Sequence, residues 1–366
     1  MTGRFADRRR AVAQALQSVG AEAMVVTDLR NIGYLSGFRG SAGALLIDAD
    51  GEAVLATDSR YELQVVEQAP DVGHVITREY VSGVLGRRRG PGDAPVAVEA
   101  DDLTLSAAAA LRSALAEVGS VDAPVIETSG VIEGVRRRKD EVELGLIEKS
   151  CAVLDRAWTH MLASGLITAG RSERDVAADL EHAMRRAGSD GVAFETIVAS
   201  GPNGALPHHV PGDRVLEAGD LVVIDFGAMV DGYASDCTRT VAIGQAPDRL
   251  VRAYEVVLRA QLAGVEAVRP GLGCADLDGV SRDIIEAEGF GGFFGHSLGH
   301  GVGLDVHEAP AVSTRSTSTL SDGDVITIEP GIYIPGLGGI RIEDTVAVSV
   351  GGGRSLTTTS KAFSTL

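Results

Sequence analysis

The chain has 366 residues, 45% of them hydrophobic, enough for two domains of ordinary size with proper cores. Its 51 acidic and 33 basic residues give a net charge of -18, which would repel nucleic-acid phosphates and an anionic membrane surface. Cysteine is limited to Cys151, Cys237 and Cys274, an odd and widely spaced set without a CxxC, so neither a disulfide framework nor a zinc knuckle is implied and a reducing cytoplasm is expected.

The first stretch, from Met1 to Met24, reads as a polar amphipathic helix with arginines but no apolar h-region, so no signal peptide is expected. No apolar run reaches the roughly eighteen residues of a membrane span. The runs AMVVT, GALLI, AVLAT, HVIT and PVAVE read as short strands, with helical stretches SRYELQVVEQA and SAAAALRSALAEV among them. This alternation predicts an α/β domain over residues 1–130, with GRRRGPGD at 86–93 as a solvated loop inside it.

A second domain over 131–366 opens with a long amphipathic helix starting near Lys139, whose stripe is Leu144, Ile147, Cys151, Leu154 and Trp158. A further helix starts at the Ser-x-x-Asp cap of SERDVAADLEHAMRRAG, and two more fit 248–268 and 274–288. The segment AVSTRSTSTLS after 310 reads as a polar loop.

An internal repeat carries more information than these elements. LEAGDLVVIDFG (216–227) and LSDGDVITIEPG (320–331) share Leu, Gly, Asp, Ile and Gly at the same offsets. Each copy is a turn followed by an apolar strand that delivers one carboxylate, Asp225 or Glu329, and then a glycine. A duplicated unit predicts a domain of two related halves whose strand ends meet at one cleft.

The Asp231-Gly232 pair marks a hairpin turn that returns Asp236 to within one or two positions of Asp225. PGLG does the same for Glu343 opposite Glu329. Facing carboxylates on strands about 4.8 Å apart repel one another. Inside apolar strands they are tolerable only when neutralised, and four negative charges balance two divalent cations. Nearby, HSLGHGVGLDVHEAP places three of the chain's eight histidines, His296, His300 and His307, on a glycine-rich backbone.

These motifs resemble the prolidase, aminopeptidase P and methionine aminopeptidase family of pita-bread metallopeptidases, in the small bacterial Xaa-Pro type. The family's metal ligands run Asp, Asp, His, Glu, Glu, and they match Asp225 in IDFG, Asp236 in SDCTRT, His300 in GHGVGLDVHE, Glu329 in IEPG and Glu343 in RIEDT. RNIGYLSGFRGSAGALLI (30–47) resembles the opening of the proline-directed members, which carry an extra N-terminal domain. The resemblance implies a mixed α/β (α+β) chain, with a creatinase/prolidase-like α/β domain followed by a pita-bread domain with pseudo-two-fold repeat.

It also implies roles. Asp236 and Glu343 would bridge two divalent ions, with Asp225 on one and His300 and Glu329 on the other; manganese is expected, with cobalt, zinc or iron as alternatives. The glycines beside His300 would let the backbone approach the ions. Glu329 would shuttle a proton, His307 would contact the scissile amide, and His208 would stabilise the tetrahedral intermediate or anchor the substrate's carboxyl side. His296 would lie on the proline side, Arg341 would support the cluster or the substrate carboxylate, and His209 has no assigned counterpart.

The expected reaction is metal-dependent hydrolysis of the Xaa-Pro bond in short proline-containing peptides, releasing the first residue. The chain would act as an Xaa-Pro aminopeptidase or dipeptidase, a cytoplasmic homodimer with neither nucleic-acid nor membrane partners. Arg39 is a candidate for reaching the partner's site, against a plain exposed arginine. The alternatives are a methionine aminopeptidase-like exopeptidase, which the long N-terminal domain disfavours, and a non-catalytic peptide-binding pita-bread module, which would have lost ligands.

Overall fold

The computed structural model describes residues 2–89 and 91–366, so the loop read over 86–93 includes one residue outside that set. The chain divides into two units, Met1–Arg136 and Arg137–Leu366.

In the first unit, α1 (Thr2–Val19) leads into β1 (Ala23–Val26), α2 (Leu29–Ser36), β2 (Ala44–Asp48) and β3 (Ala53–Thr57). Then come α3 (Glu62–Gln68), β4 (Gly73–Ile76), α4 (Tyr80–Leu85), β5 (Val96–Glu99), α5 (Leu105–Glu117), β6 (Val125–Thr128) and α6 (Val131–Arg136). The strands form one mixed sheet in the order β4-β3-β2-β1-β5-β6, with β1 antiparallel to β2 and parallel to β5. Every residue of β1, β2 and β5 is buried, as expected of central strands covered on both faces.

The polar motif RNIGYLSGF is explained here. Asp28 caps α2 by accepting from the Arg30 and Asn31 amides, and Gly37 closes it in a left-handed conformation at φ 85°. Asn31 is 1% exposed, donates to Glu99 at 2.6 Å and Glu133 at 2.7 Å, and accepts from Arg136 at 2.9 Å. It therefore ties β5 and α6 to α2, and α6 stays with the first unit although the sequence suggests a boundary near 130.

The second unit opens with α7 (Glu141–Ala163), started by a reciprocal capping box between Asp140 and Glu143. Ile147, Cys151 and Leu154 of its stripe are fully buried and Trp158 is 4% exposed, stacked on Phe226 at 5.5 Å between ring centres. α8 (Glu173–Arg186) follows, with Ser172 as its expected cap, and leads to β7 (Gly191–Val192) and β8 (Ile197–Ser200).

The first half-repeat comprises β9 (Leu221–Phe226), β10 (Ala228–Val230), β11 (Tyr233–Ala234) and β12 (Cys237–Ala242). Helices α9 (Asp248–Ala267) and α10 (Cys274–Ala287) separate it from β13 (Gly299–Gly301) and β14 (Glu308–Val312). The second half-repeat is β15 (Val325–Ile328), β16 (Gly331–Ile334), β17 (Gly338–Arg341) and β18 (Asp344–Ser349), followed by β19 (Gly352–Ser355). The segment after 310 is a loop only beyond Val312, because its first residues extend β14 and pair with β13.

The duplication extends to hydrogen bonds. Asp220 accepts from the Glu217 amide at 2.9 Å and from Arg214 at 2.7 Å. Asp324 accepts from the Ser321 amide at 2.8 Å and from Arg137 at 2.7 Å. The intervening Gly219 and Gly323 have φ of 99° and 87°, which a β-carbon would strain. Asp231 and Gly232, at φ 51° and 83°, make the tight turn of the first hairpin.

Candidate metal centre

Strand register assembles the acids. β9 and β12 are antiparallel with Asp225 opposite Thr238, so Asp225 and Asp236 point to one face. In the second half, Ile328 pairs with Asp344 and Gly331 with Arg341, which sets Glu329 opposite Glu343. The halves are joined along β12: the Glu343 amide donates to Thr238 O at 3.1 Å, and Thr345 donates to Asp236 O at 2.8 Å.

All five expected ligands line one cavity of about 520 Å³, together with His208, His209, His296, His307 and Arg341. Ligand atoms of Asp236, His300 and Glu343 lie within 4.8 Å of one another. His300 Nε2 is 3.2 Å from Glu329 and 3.6 Å from Asp236. Its Nδ1 lies 3.0 Å from Gly301 O; with Nδ1–H donating there, Nε2 is left to bind a cation. Neighbouring strands require the flanking glycines: a β-carbon at Gly299 would sit 2.1 Å from Thr327 O, and one at Gly301 2.2 Å from Ala309 O.

The electrostatics set the carboxyl groups against one another. Burial, reinforced by Glu343, Asp225 and Glu329, pushes the Asp236 carboxyl well above the usual carboxylate range. Burial and the charges of Glu329 and Asp225 do the same to Glu343. Burial would raise Glu329 too, but His300, His296 and Arg341 together outweigh it and hold Glu329 down to about 2. Among the described residues, Asp225 Oδ1 and Asp236 Oδ1 are buried without a hydrogen-bond partner. Unpartnered carboxylate oxygens facing a cluster of like charge fit divalent cations, hard acids that take oxygen and imidazole donors.

The surrounding side chains hold the acids in place. Thr238 donates to Glu343 at 2.6 Å and Thr327 to Glu329 at 2.9 Å. Arg341 donates to Asp225 at 2.7 Å, Thr238 at 3.0 Å, Tyr333 at 2.8 Å and Pro207 O at 3.2 Å. With all three guanidinium nitrogens engaged and 3% exposure, Arg341 has the geometry of a support for the cluster, the first of its two expected roles.

His296 is similarly committed. Its Nδ1 donates to Ser297 O at 2.7 Å, leaving Nε2 to accept from the Tyr333 hydroxyl at 2.9 Å. Gly331 makes room for that tyrosine, since a β-carbon there would meet Tyr333 Oη at 2.5 Å. His307 is exposed to solvent on one side, its ring centre 4.2 Å from that of His300, and partial desolvation against the cavity wall, then His300, hold its pKa below the ordinary histidine value. His208 is exposed at the cavity wall, and His209 turns away to Glu173 at 2.7 Å.

Several residues that shape the site escaped the sequence reading: Thr238, Thr327, Tyr333, Arg239, Asp344 and Glu173. The first two carried a usable signal. Each lies two residues along a strand from a ligand, Thr238 from Asp236 and Thr327 from Glu329, and so shares its face.

Two related hairpins converging four carboxylates and a histidine define a hydrolase with a divalent-metal site. Residues 145–349 match Metallopeptidase family M24, and residues 8–137 match the Creatinase/Prolidase N-terminal domain. The chain belongs to metallopeptidase family M24. It is 48% identical over 231 residues to an Xaa-Pro dipeptidase of Pyrococcus furiosus, covering 63% of this chain and 66% of that one. It is 39% identical to an uncharacterized peptidase of Bacillus subtilis across 94% of this chain and 95% of the relative. The solved Xaa-Pro dipeptidase of Bacillus anthracis superposes with a TM-score of 0.93 at 38% identity, covering 100% of both chains. Among the described residues no helix is long and apolar enough to cross a membrane.

Proposed function

We propose that this chain hydrolyses the Xaa-Pro bond of short peptides and releases the N-terminal residue. The observation that carries this reading is the quartet of buried Asp236 and Glu343 and half-buried Asp225 and Glu329 around His300, with two carboxylate oxygens unpartnered. Asp225, Asp236, His300, Glu329 and Glu343 would hold two divalent ions, with manganese proposed. When bound, such ions supply a water of lowered pKa and a Lewis acid for the scissile carbonyl.

The chain's own groups complete the chemistry. Glu329, ionised at rest, takes a proton from the attacking water and delivers it to the leaving proline nitrogen. His307, exposed beside His300, meets the scissile amide. His208, on the cavity wall, donates to the developing oxyanion or to the peptide's carboxyl side. Tyr333 and Arg341 brace Asp225 and His296, leaving the proline side of the cavity to the His296 ring. An Xaa-Pro bond is a tertiary amide without an N–H, so a site that makes no demand on that donor suits it.

Homodimerisation and a cytoplasmic location are part of the same proposal. The test is a panel of Xaa-Pro and Xaa-Pro-Yaa peptides against several divalent metals. Release of the first residue from both sets supports an aminopeptidase, and release from dipeptides alone supports a dipeptidase. Hydrolysis of non-proline peptides only would overturn the proposal.

A further inference from the structure

Glu173 is the first residue of α8, far in sequence from every ligand, and its side chain is wholly buried. Its carboxylate is the hub of five hydrogen bonds from the last residue of β8 and the segment that follows it. Oε1 accepts from the Ser200 amide at 2.8 Å, the Ser200 hydroxyl at 2.7 Å and Asn203 Nδ2 at 3.0 Å. Oε2 takes His209 Nε2 at 2.7 Å and the Gly212 amide at 3.3 Å. The Glu173 amide in turn donates to Arg214 O at 3.0 Å, and Arg214 donates to the Ser200 hydroxyl at 2.6 Å. Burial alone would raise the Glu173 pKa, but the donors from Ser200, Asn203 and His209 hold it below the ordinary glutamate value, so the carboxylate is charged when it binds them.

One charged group thus grips both ends of the loop 201–212. Between the first grip and Gly212, Pro207 to Pro211 line the metal cavity, where Pro207 O is held by Arg341 at 3.2 Å. Among the described residues none forms a hydrogen bond with the His208 side chain, which is exposed, so its place against the cavity depends on the loop that carries it.

We infer that Glu173 is a positioning residue for the reaction, clamping the loop 201–212 through Ser200, Asn203, His209 and Gly212 so that His208 faces the substrate. His209 is then the clamp's partner and not a second substrate histidine. This inference rests on the reaction proposed above.

The experiment uses the full chain loaded with manganese. Hydrogen exchange of the peptide covering 201–212 is measured without substrate for wild type, Glu173→Ala, Glu173→Gln and His209→Ala. Hydrolysis of an Xaa-Pro dipeptide is measured for the same set, each also combined with His208→Ala. In Glu173→Ala the loop should exchange about tenfold faster or more, and kcat/KM should fall about tenfold or more. Added to His208→Ala, the same change should cost nothing further, because the two act as one unit. Glu173→Gln, which keeps the shape and one acceptor oxygen, should restore part of both signals. If Glu173→Ala does not fold, His209→Ala, which removes a side chain 14% exposed, carries the same comparison. Unchanged loop exchange, or losses that simply add to that of His208→Ala, would overturn the positioning role. A wild-type protein inactive on Xaa-Pro substrates would remove the proposed reaction, whereas the exchange result would still decide whether Glu173 holds the loop.

Discussion

The Tyr333 hydroxyl donates to His296 Nε2 across 2.9 Å while accepting from Arg341 at 2.8 Å, so one buried phenol links an expected substrate-side histidine to the arginine that holds Asp225. Burial pushes its pKa up to about 12, which keeps the proton on the oxygen and fixes the direction of the chain of bonds. Removing the hydroxyl leaves two buried polar groups short of a partner.

Tyr333→Phe is therefore expected to lower stability by about 1–3 kcal/mol. It should also reduce kcat/KM, because the orientations of His296 and Arg341 loosen. Thermal melting and steady-state kinetics on an Xaa-Pro dipeptide check this; a variant unchanged in both would show that the phenol serves neither group.

Arg239 and Asp344 form a second buried pair, 2.8 Å apart with side chains 2% and 1% exposed. Asp344 also accepts from Gln261 at 3.0 Å and Thr357 at 2.9 Å. Burial would raise its pKa, but Arg239 and Lys361 outweigh that and keep it below the ordinary aspartate value. Asp344→Asn would strand a buried guanidinium and is expected to cost about 3–5 kcal/mol in denaturant unfolding. Because Asp344 follows Glu343 directly, metal retention should fall in the same variant.

Glu99 sets a pH dependence in the first unit. Burial raises its pKa from 4.5 to about 7 against the opposing donors Asn31, Asp28 and Thr27. A carboxyl whose folded pKa is raised binds its proton more tightly when folded. Its contribution is thus fully present below pH 4.5 and is lost as pH rises through about 7, by about 3 kcal/mol at most. Glu99→Gln should flatten the fall in melting temperature between those pH values. A wild-type slope identical to the variant's would mean that Glu99 stays ionised throughout.

Much of this was legible in the sequence because it lies in local, periodic signals. The strand runs, the Ser172 cap, the α7 stripe and the Asp231-Gly232 turn each depend on a few consecutive residues. The repeat around Asp225 and Glu329 gave the register, and register alone brings the two carboxylates of each hairpin to one face. The invisible part depends on contacts between distant segments. Nothing near Glu173 announces that it meets Ser200 and His209, and the reason for glycine at 331 appears only once Tyr333 folds over it. The crowding that calls for glycine on both sides of His300 comes from Thr327 and Ala309, whose proximity no local pattern encodes. The commitment of His296 and Arg341 to protein partners was hidden for the same reason.

The central claim is that the acidic quartet with His300 is a binding site for two divalent ions on which hydrolysis depends. The most direct test is to strip the protein with chelator, titrate manganese back and follow bound metal by mass spectrometry alongside Xaa-Pro dipeptide hydrolysis, with Asp236→Asn in parallel. Two ions per chain, activity rising with occupancy, and loss of both in Asp236→Asn are expected. Full activity in the stripped protein, or normal metal content and turnover in Asp236→Asn, would contradict the assignment of these five ligands.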